Sequence, residues 1–386
     1  MLTSKLPSVG ATIFSQMSAL ANQYNALNLS QGFPNFDCDP YLKQQVNYYL
    51  SQGFNQYAPM PGVPQLQLAI ANVVSEHYGL SLDAAQITVT SGATEALFVA
   101  IQTIVHPGDE VIVFDPAYDC YEPAVELAGG KCVHLPLLPP QYAIDWQQVE
   151  EAITPRTKAI VINSPHNPTG AILHPQDIAA LRRLVNRYDI HLIADEVYEH
   201  IIFDDQVHQS ILRYPDLAEK SFVISSFGKT FHVTGWKVGY CVAPAHLTVE
   251  FRKIHQYVTF STVTPIQMAI ADMMTHSPQH IRELGPFYQH KRDIFRRHLV
   301  DSRFKLLPCQ GTYFQLLDYS AIADLPDTEF CHWLTQEHKI ATIPLSVFYQ
   351  TPPQSKVIRV CFAKDDDTLA QAAQILCQIQ ATKTSF

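Results

Sequence analysis

No apolar run in this chain approaches the roughly 20 residues that a helix needs to span a bilayer. The start, MLTSKLPSVGATIF, also lacks a long apolar core followed by a small-residue cleavage site. Together these absences predict a cytoplasmic protein with no membrane partner. No C-x-x-C pair occurs among the eight cysteines (Cys38, Cys120, Cys132, Cys241, Cys309, Cys331, Cys361 and Cys377), a scatter that suits reduced, mostly buried thiols better than zinc or disulfides. Basic residues are in the minority. Lys plus Arg number 26 against 36 Asp plus Glu, and the resulting net charge of −10 argues against nonspecific attraction to nucleic acid or anionic membrane. The G-x-G-x-x-G fingerprint is missing, which removes the simplest dinucleotide-binding alternative. Nor does any internal repeat, low-complexity segment or flexible linker interrupt the chain.

What the chain has is length and alternation. Its 386 residues exceed the roughly 250–300 at which a single hydrophobic core stops growing, so two domains are expected. From about residue 86 to 245, short β-branched runs (QITVT, EVIVF, KCVHLPL, TKAIVIN, DIHLIAD, SFVISSF, KVGYCVA) alternate with amphipathic stretches such as ATEALFVAIQTIV and PQDIAALRRLVNRY. That alternation predicts an α/β core with a mainly parallel sheet covered on both faces. After a long helix around IRELGPFYQHKRDIFRRHLV, the pattern changes to FKLLP, TYFQLLDY, a helix near TEFCHWLTQEHKI, KVIRVCF and a terminal helix from Asp365. This reads as a smaller α+β domain. The expected division is residues 31–283 for the large domain, and 1–30 with 284–386 for the small domain and its N-terminal arm.

The stretch SSFGKTFHVTGWKVGY, residues 225–240, sets Lys229 between a glycine and a threonine. A nucleotide-binding loop of the form G-x-x-x-x-G-K-[ST] requires a glycine at 223, but the residue is Val223, inside an apolar strand pattern. An isolated lysine is ordinarily a surface residue. Lys229, however, follows a strand directly, at the sheet edge where open α/β folds bind ligands. Whether it carries chemistry depends on residues elsewhere.

Five segments, SGATEAL (91–97), NSPHNPTG (163–170), ADEVYEH (194–200), SSFGKTFHVTGWKVGY and IRVCFAKDD (358–366), stand in the order and spacing of the pyridoxal-phosphate-dependent class I aminotransferases. The resemblance runs from QGFPNF near residue 31 to Arg359. Within that family the chain is similar to the kynurenine aminotransferase and glutamine transaminase K branch, in particular to bacterial methionine aminotransferases. The resemblance implies a fold-type-I transferase with a mainly parallel seven-stranded sheet, pyridoxal 5'-phosphate as cofactor, and a homodimer.

It also implies roles for individual residues. Lys229 would bond covalently to the cofactor aldehyde and, once freed, move a proton, which requires its pKa to be lowered by desolvation and nearby positive charge. Asp195 would partner the pyridine nitrogen, while Tyr198 and Asn167 would hydrogen-bond the phenolic oxygen. Tyr118 would stack on the ring. Gly92, Ala93 and Thr94, at the start of a helix, would hold the phosphate with Ser226 and Lys237. The family commonly has arginine where this chain has Lys237, so a bidentate contact becomes a point charge. Arg359 would grip the substrate carboxylate, assisted by the Gly32 N–H. Tyr57 would reach the phosphate of a neighbouring subunit, and Phe14 and Phe260 would line an apolar pocket for the substrate side chain.

Taken singly, several of these residues have plainer explanations: a turn for NPTG, a helix cap or ion pair for Asp195, core packing for the aromatics. Glu196, Glu199 and His200 beside Asp195 lack a tidy metal-ligand spacing, and no metal is expected. The expected activity is an aminotransferase of amino-acid metabolism that takes the amino group of methionine, and also of aromatic amino acids such as phenylalanine and of histidine, to a 2-oxo acid. The alternatives are a cysteine-conjugate β-lyase, or a kynurenine or glutamine transaminase, on the same fold. A cofactor-sensing regulator is disfavoured by the acidic balance and by a start almost directly at the arm.

Overall fold

The computed structural model describes residues 3–381. Its largest sheet has seven strands, in the spatial order Ile87–Thr90, Gly239–Val242, Ser221–Ser226, His191–Asp195, Thr157–Asn163, Glu110–Asp115 and Lys131–Pro136. Six of these run in one direction. Gly239–Val242 is antiparallel to both of its neighbours. Ile87–Thr90, Glu110–Asp115, Ser221–Ser226 and Gly239–Val242 are buried along their whole length, as expected where helices cover both faces of a parallel sheet and the strands read as apolar runs. The mainly parallel α/β sheet predicted from the alternation is present, with the seven strands that the resemblance implies.

The helices follow their sequence signals. Pro175–Tyr188 begins with proline, whose missing N–H costs nothing at a first helical position. The Asp177 carboxylate accepts from the His174 N–H at 2.8 Å to close that end. Ile178, Leu181, Leu184 and Val185 then fall on one buried stripe. Asp366–Gln378 is capped by Asp365, whose Oδ1 accepts from the Thr368 N–H at 2.7 Å, and it buries Leu369, Ala372, Ala373 and Leu376. Four further helices, Pro40–Ser51, Pro64–Tyr78, Ala245–Val258 and Thr264–His276, occupy stretches that strand–helix alternation does not resolve.

A second, antiparallel sheet orders Ile343–Pro344, Val357–Cys361, Phe314–Asp318 and Lys305–Leu306. Its inner strand Val357–Cys361 carries Arg359, set between Leu316 on one side and Ile343 on the other. The N-terminal segment joins this region: Leu27–Asn28 pairs in parallel with Ile340–Ala341. The chain then continues from Leu29, whose carbonyl accepts from the Cys361 N–H at 2.8 Å. All eight cysteines are free thiols, six of them buried.

Three polar residues end adjacent strands of the large sheet. Asn163 pairs with Asp195 in register, and Ser226 closes the next strand opposite Gly239. This is the carboxyl edge at which open α/β sheets hold ligands. Gly239 brings the strand ends close to the helix Gly92–Ile104: a Cβ there would lie 2.6 Å from the Ser225 carbonyl oxygen and 2.9 Å from the Ala93 nitrogen. Because the obstructing atoms are backbone, Gly239→Ala should destabilise the fold by about 1–3 kcal/mol, the usual cost of overpacking. Gly235→Ala, whose added carbon meets nothing within 4 Å, should be near neutral. Urea unfolding of the two variants tests this, and equal stabilities would contradict it.

Candidate active site

The cradle at the sheet edge is a cavity of about 120 Å³. Gly92, Ala93, Thr94, Tyr118, Asn167, Asp195, Tyr198, Ser226, Lys229 and Lys237 all line it, together with Asn163 and Thr234. Lys229 lies on a single helical turn, Phe227–Thr230, that follows the strand Ser221–Ser226. Its Nζ donates to the Gly32 carbonyl at 3.2 Å and lies 5.6 Å and 5.7 Å from the ring centres of Tyr198 and Tyr313. Although the side chain keeps some exposure in the cleft, desolvation pulls its pKa from 10.5 to about 8. Lys237 and Arg359 add to the fall, while Cys361 and Asp195 oppose it.

Asp195 is buried, and desolvation pushes its carboxyl up to about 6 against the lowering effect of its hydrogen bonds. Tyr121 Oη donates to its Oδ2 at 2.6 Å, and the Val197 N–H to its Oδ1 at 3.3 Å. Among the described residues no ion pair engages this carboxylate, although the charge on Lys229 helps to lower it, and its environment favours a ligand that brings a cation. Burial pushes the Tyr198 phenol up, so the hydroxyl stays protonated.

The other end of the cradle suits an anion. Gly92–Ile104 begins there without a side-chain cap on Ser91, so its first amides and dipole face the cavity. A Cβ on Gly92 would lie 3.3 Å from Lys237 Cε and 3.5 Å from its Nζ, which places that ammonium group against the helix start. Lys237 itself holds a left-handed backbone, φ 52°. A phosphate at this end, a phenolic oxygen near Asn167 and Tyr198, and a protonated ring nitrogen at Asp195 match the donors and acceptors present; the residues therefore fit pyridoxal phosphate.

Above the cradle sits Arg359. Its Nη1 donates to Asn167 Oδ1 at 2.8 Å and its Nη2 to the Ser30 carbonyl at 3.0 Å, while Nε is buried without a partner. The guanidinium lies 4.0 Å from the centre of the Phe314 ring and 5.4 Å from that of Phe14. Phe14 in turn packs against Phe348 at 5.7 Å. A cleft of about 660 Å³ opens beside Tyr118 and is lined by Ile13, Gln16, Asp119 and Phe348 among others. Another cavity, of about 410 Å³, shares Asn163 with the cradle but, among the described residues, is lined by no lysine or arginine.

Tyr57 and Phe260 are not brought to the cradle of their own chain. They stack edge-to-face on each other at 5.4 Å on an exposed surface, where Tyr57 is 85% exposed.

Behind the cradle a buried carboxylate ties its two sides together. Glu199 Oε1 accepts from the Ser225 hydroxyl and, at 3.0 Å, from Tyr240 Oη, and its Oε2 accepts from the Tyr78 hydroxyl. Burial raises its pKa, but His200 and these hydroxyls outweigh that, and the net shift is downward. Glu196 is likewise occupied, by His208 Nε2 and the Ile211 N–H, both at 2.9 Å. Glu199 thus links the turn bearing Tyr198 to the strand leading to Lys229.

Sequence reasoning does not select Tyr121, Asn163 or Tyr313. Tyr121 lies three residues beyond Tyr118, and Asn163 heads the NSPHNPTG segment, so each neighbours a selected residue. Tyr313 has no such cue.

A mainly parallel seven-stranded sheet, with a desolvated lysine and aspartate at adjacent strand ends and an arginine from a second sheet above them, is the architecture of the fold-type-I transferases. The chain belongs to the class I and II aminotransferases, whose family model matches residues 24–376. It is 53% identical to the methionine aminotransferase of Escherichia coli K12 across 97% of this chain and 98% of that protein. To human kynurenine–oxoglutarate transaminase 1 it is 33% identical, over 91% of each chain. The crystal structure of YbdL from Escherichia coli, identified with a methionine aminotransferase function, matches with a TM-score of 0.96 and 52% identity over 98% of this chain and 99% of that one. The N-succinyldiaminopimelate aminotransferase structure from Mycobacterium tuberculosis matches at 0.94 and 37% identity, over 98% and 100%.

In ligand-free protein, the Lys229 side chain should titrate with a midpoint near 8 by carbon NMR, well below ordinary lysines near 10.5. Tyr121→Phe removes a hydroxyl that lowers Asp195 and should therefore raise that carboxyl above about 6. A Lys229 midpoint in the ordinary range would contradict the desolvated site.

Proposed function

We propose that this protein is a cytoplasmic, pyridoxal-phosphate-dependent aminotransferase that passes the amino group of methionine, and of aromatic amino acids such as phenylalanine and of histidine, to a 2-oxo acid. The observation that carries this reading is the cradle itself, with desolvated Lys229 and Asp195 at one end and the helix start with Lys237 at the other. When bound, the cofactor supplies an electron sink for the electrons released at the substrate α-carbon.

The chain's residues have defined parts in that reaction. Gly92, Ala93, Thr94, Ser226 and Lys237 would hold the phosphate, while Asp195 would keep the ring nitrogen protonated. Tyr198 and Asn167 would bond the phenolic oxygen, and Tyr118 would cover the ring. Lys229 would anchor the cofactor covalently; once displaced, its amine, lowered to about 8, would be placed to take the substrate α-proton and return it as general acid. Arg359 binds the substrate carboxylate with paired hydrogen bonds and so fixes the orientation of the α-C–H bond. For this its Nη groups exchange one of their present acceptors, and the partnerless Nε adds a donor.

The side-chain wall favours neutral substrates. Phe14 and Phe348 sit beside the Arg359 guanidinium, and among the described residues no further arginine lines the adjoining cleft to pair with a second carboxylate. That suits methionine and phenylalanine better than aspartate.

A homodimer completes the proposal. Phe54, Tyr57, Leu68, Tyr257, Val258, Phe260 and Val263 are exposed, and the Thr264 hydroxyl reaches the Gln56 carbonyl at 2.6 Å, so the two segments adjoin. A clustered apolar surface of this kind marks an interface. Tyr57 would then reach the phosphate, and Phe260 the substrate pocket, of the second subunit. Residues 284–386 with the arm 1–30 are proposed to close over the large domain, 31–283, when Arg359 engages substrate.

The test is a panel of half-reactions. Mixing cofactor-loaded enzyme with single amino acids should bleach its visible absorbance with methionine and phenylalanine, and far less with aspartate. No response to any amino acid would overturn the aminotransferase assignment, and response to aspartate alone would overturn the substrate class. Pyruvate and ammonia released from a cysteine conjugate without a 2-oxo acid would favour the β-lyase instead.

A further inference from the structure

Tyr313 is fully buried, precedes the strand Phe314–Asp318, and is not among the residues that the family pattern selects. Its hydroxyl donates to the Gly32 carbonyl at 2.5 Å, the same oxygen that accepts from Lys229 Nζ at 3.2 Å. Its ring meets Tyr198 edge-on at 5.2 Å and Tyr288 at 5.4 Å, so the hydroxyl is held in place from two sides. The next residue, Phe314, lies directly under Gly32: a Cβ on that glycine would come within 2.9 Å of Phe314 Cζ. The Arg359 guanidinium rests 4.0 Å from the centre of the same Phe314 ring.

Gly32 donates its N–H to no group among the described residues, while its carbonyl has two donors. A free amide beside a guanidinium is an anion site, provided the glycine is held in one orientation. Glycine is the residue least able to hold itself. Lys229 cannot hold it throughout turnover, because its amine is consumed in the covalent bond to cofactor and then in proton transfer. Tyr313 is the donor that remains.

We propose that Tyr313 is a positioning residue for substrate carboxylate recognition: through the Gly32 carbonyl it fixes the backbone amide that, with Arg359, receives the carboxylate. This rests on the aminotransferase reading above. Loss of the hydroxyl leaves Gly32 with a single donor that departs during the reaction, so carboxylate affinity falls while the chemistry at Lys229 continues.

The experiment compares wild type with Tyr313→Phe, both cofactor-loaded. The KM for methionine should rise roughly tenfold, the scale of one lost hydrogen bond, with kcat changed less than about twofold. Calorimetry with 4-(methylthio)butanoate, which has the carboxylate but no amine to react, should show the same weakening in Kd independently of turnover. With 3-(methylthio)propylamine, which lacks the carboxylate, the two proteins should react at equal rates. Unchanged Kd for the carboxylate, or equal losses with the amine, would overturn the role of Tyr313. Failure of wild type to bleach with methionine would overturn the aminotransferase reading instead, and the calorimetric comparison would still decide the carboxylate site.

Discussion

Desolvation of two opposite charges at the carboxyl edge of one sheet is the constraint around which this structure is organised. Lys229 and Asp195 end up in a cavity that favours the neutral form of each, pulling the amine down to about 8 and pushing the carboxyl up to about 6. The linkage has a definite sign for each group. Asp195 contributes most to stability below its ordinary 3.8, and that contribution is lost as pH rises through about 6. Lys229 contributes most above 10.5, and its contribution is lost as pH falls through about 8. At neutral pH both therefore weaken the ligand-free fold. In the proposed reaction both costs would shrink, as Asp195 gains a cationic partner and Lys229 is consumed in a covalent bond.

Holding such a pair requires rigid surroundings, and the fold supplies them through backbone register and buried polar bonds. Adjacent strands deliver Asn163, Asp195 and Ser226 side by side. Glu199 joins the Tyr198 turn to Ser225 and, through Tyr240 and Tyr78, to two further elements. A fully satisfied buried carboxylate of this kind rigidifies its neighbourhood, where a partly satisfied one would loosen it. Lys364 Nζ on the Phe33 carbonyl at 2.8 Å and Arg359 on that of Ser30 then tie the segment that bears these carbonyls down from the second sheet's strand Val357–Cys361 and the turn that follows it.

Much of this is legible in the sequence because the signals are local. The strand at SFVISSF, ending before Lys229, follows from its β-branched run, and Val223 inside it removes the nucleotide loop by position alone. The cradle residues are legible because five segments keep their order. Less legible are contacts that form only after long-range closure. Tyr313 meets Gly32 across 281 residues, and Tyr121 meets Asp195 across 74. Neither tyrosine differs in sequence from a core aromatic. The helices Pro40–Ser51, Pro64–Tyr78, Ala245–Val258 and Thr264–His276 escape strand–helix alternation because several of their apolar residues are shared between the core and an exposed face, as at Leu68, Tyr257 and Val258.

The proposed reaction divides labour between two lysines eight residues apart, with Lys229 proposed to form the covalent bond and Lys237 to hold the phosphate. Reducing the pyridoxal-phosphate-loaded protein with borohydride and mapping the modified peptide by mass spectrometry tests that division directly. The predicted result is a single pyridoxyl group on Lys229, and a label on Lys237 or none at all would contradict it.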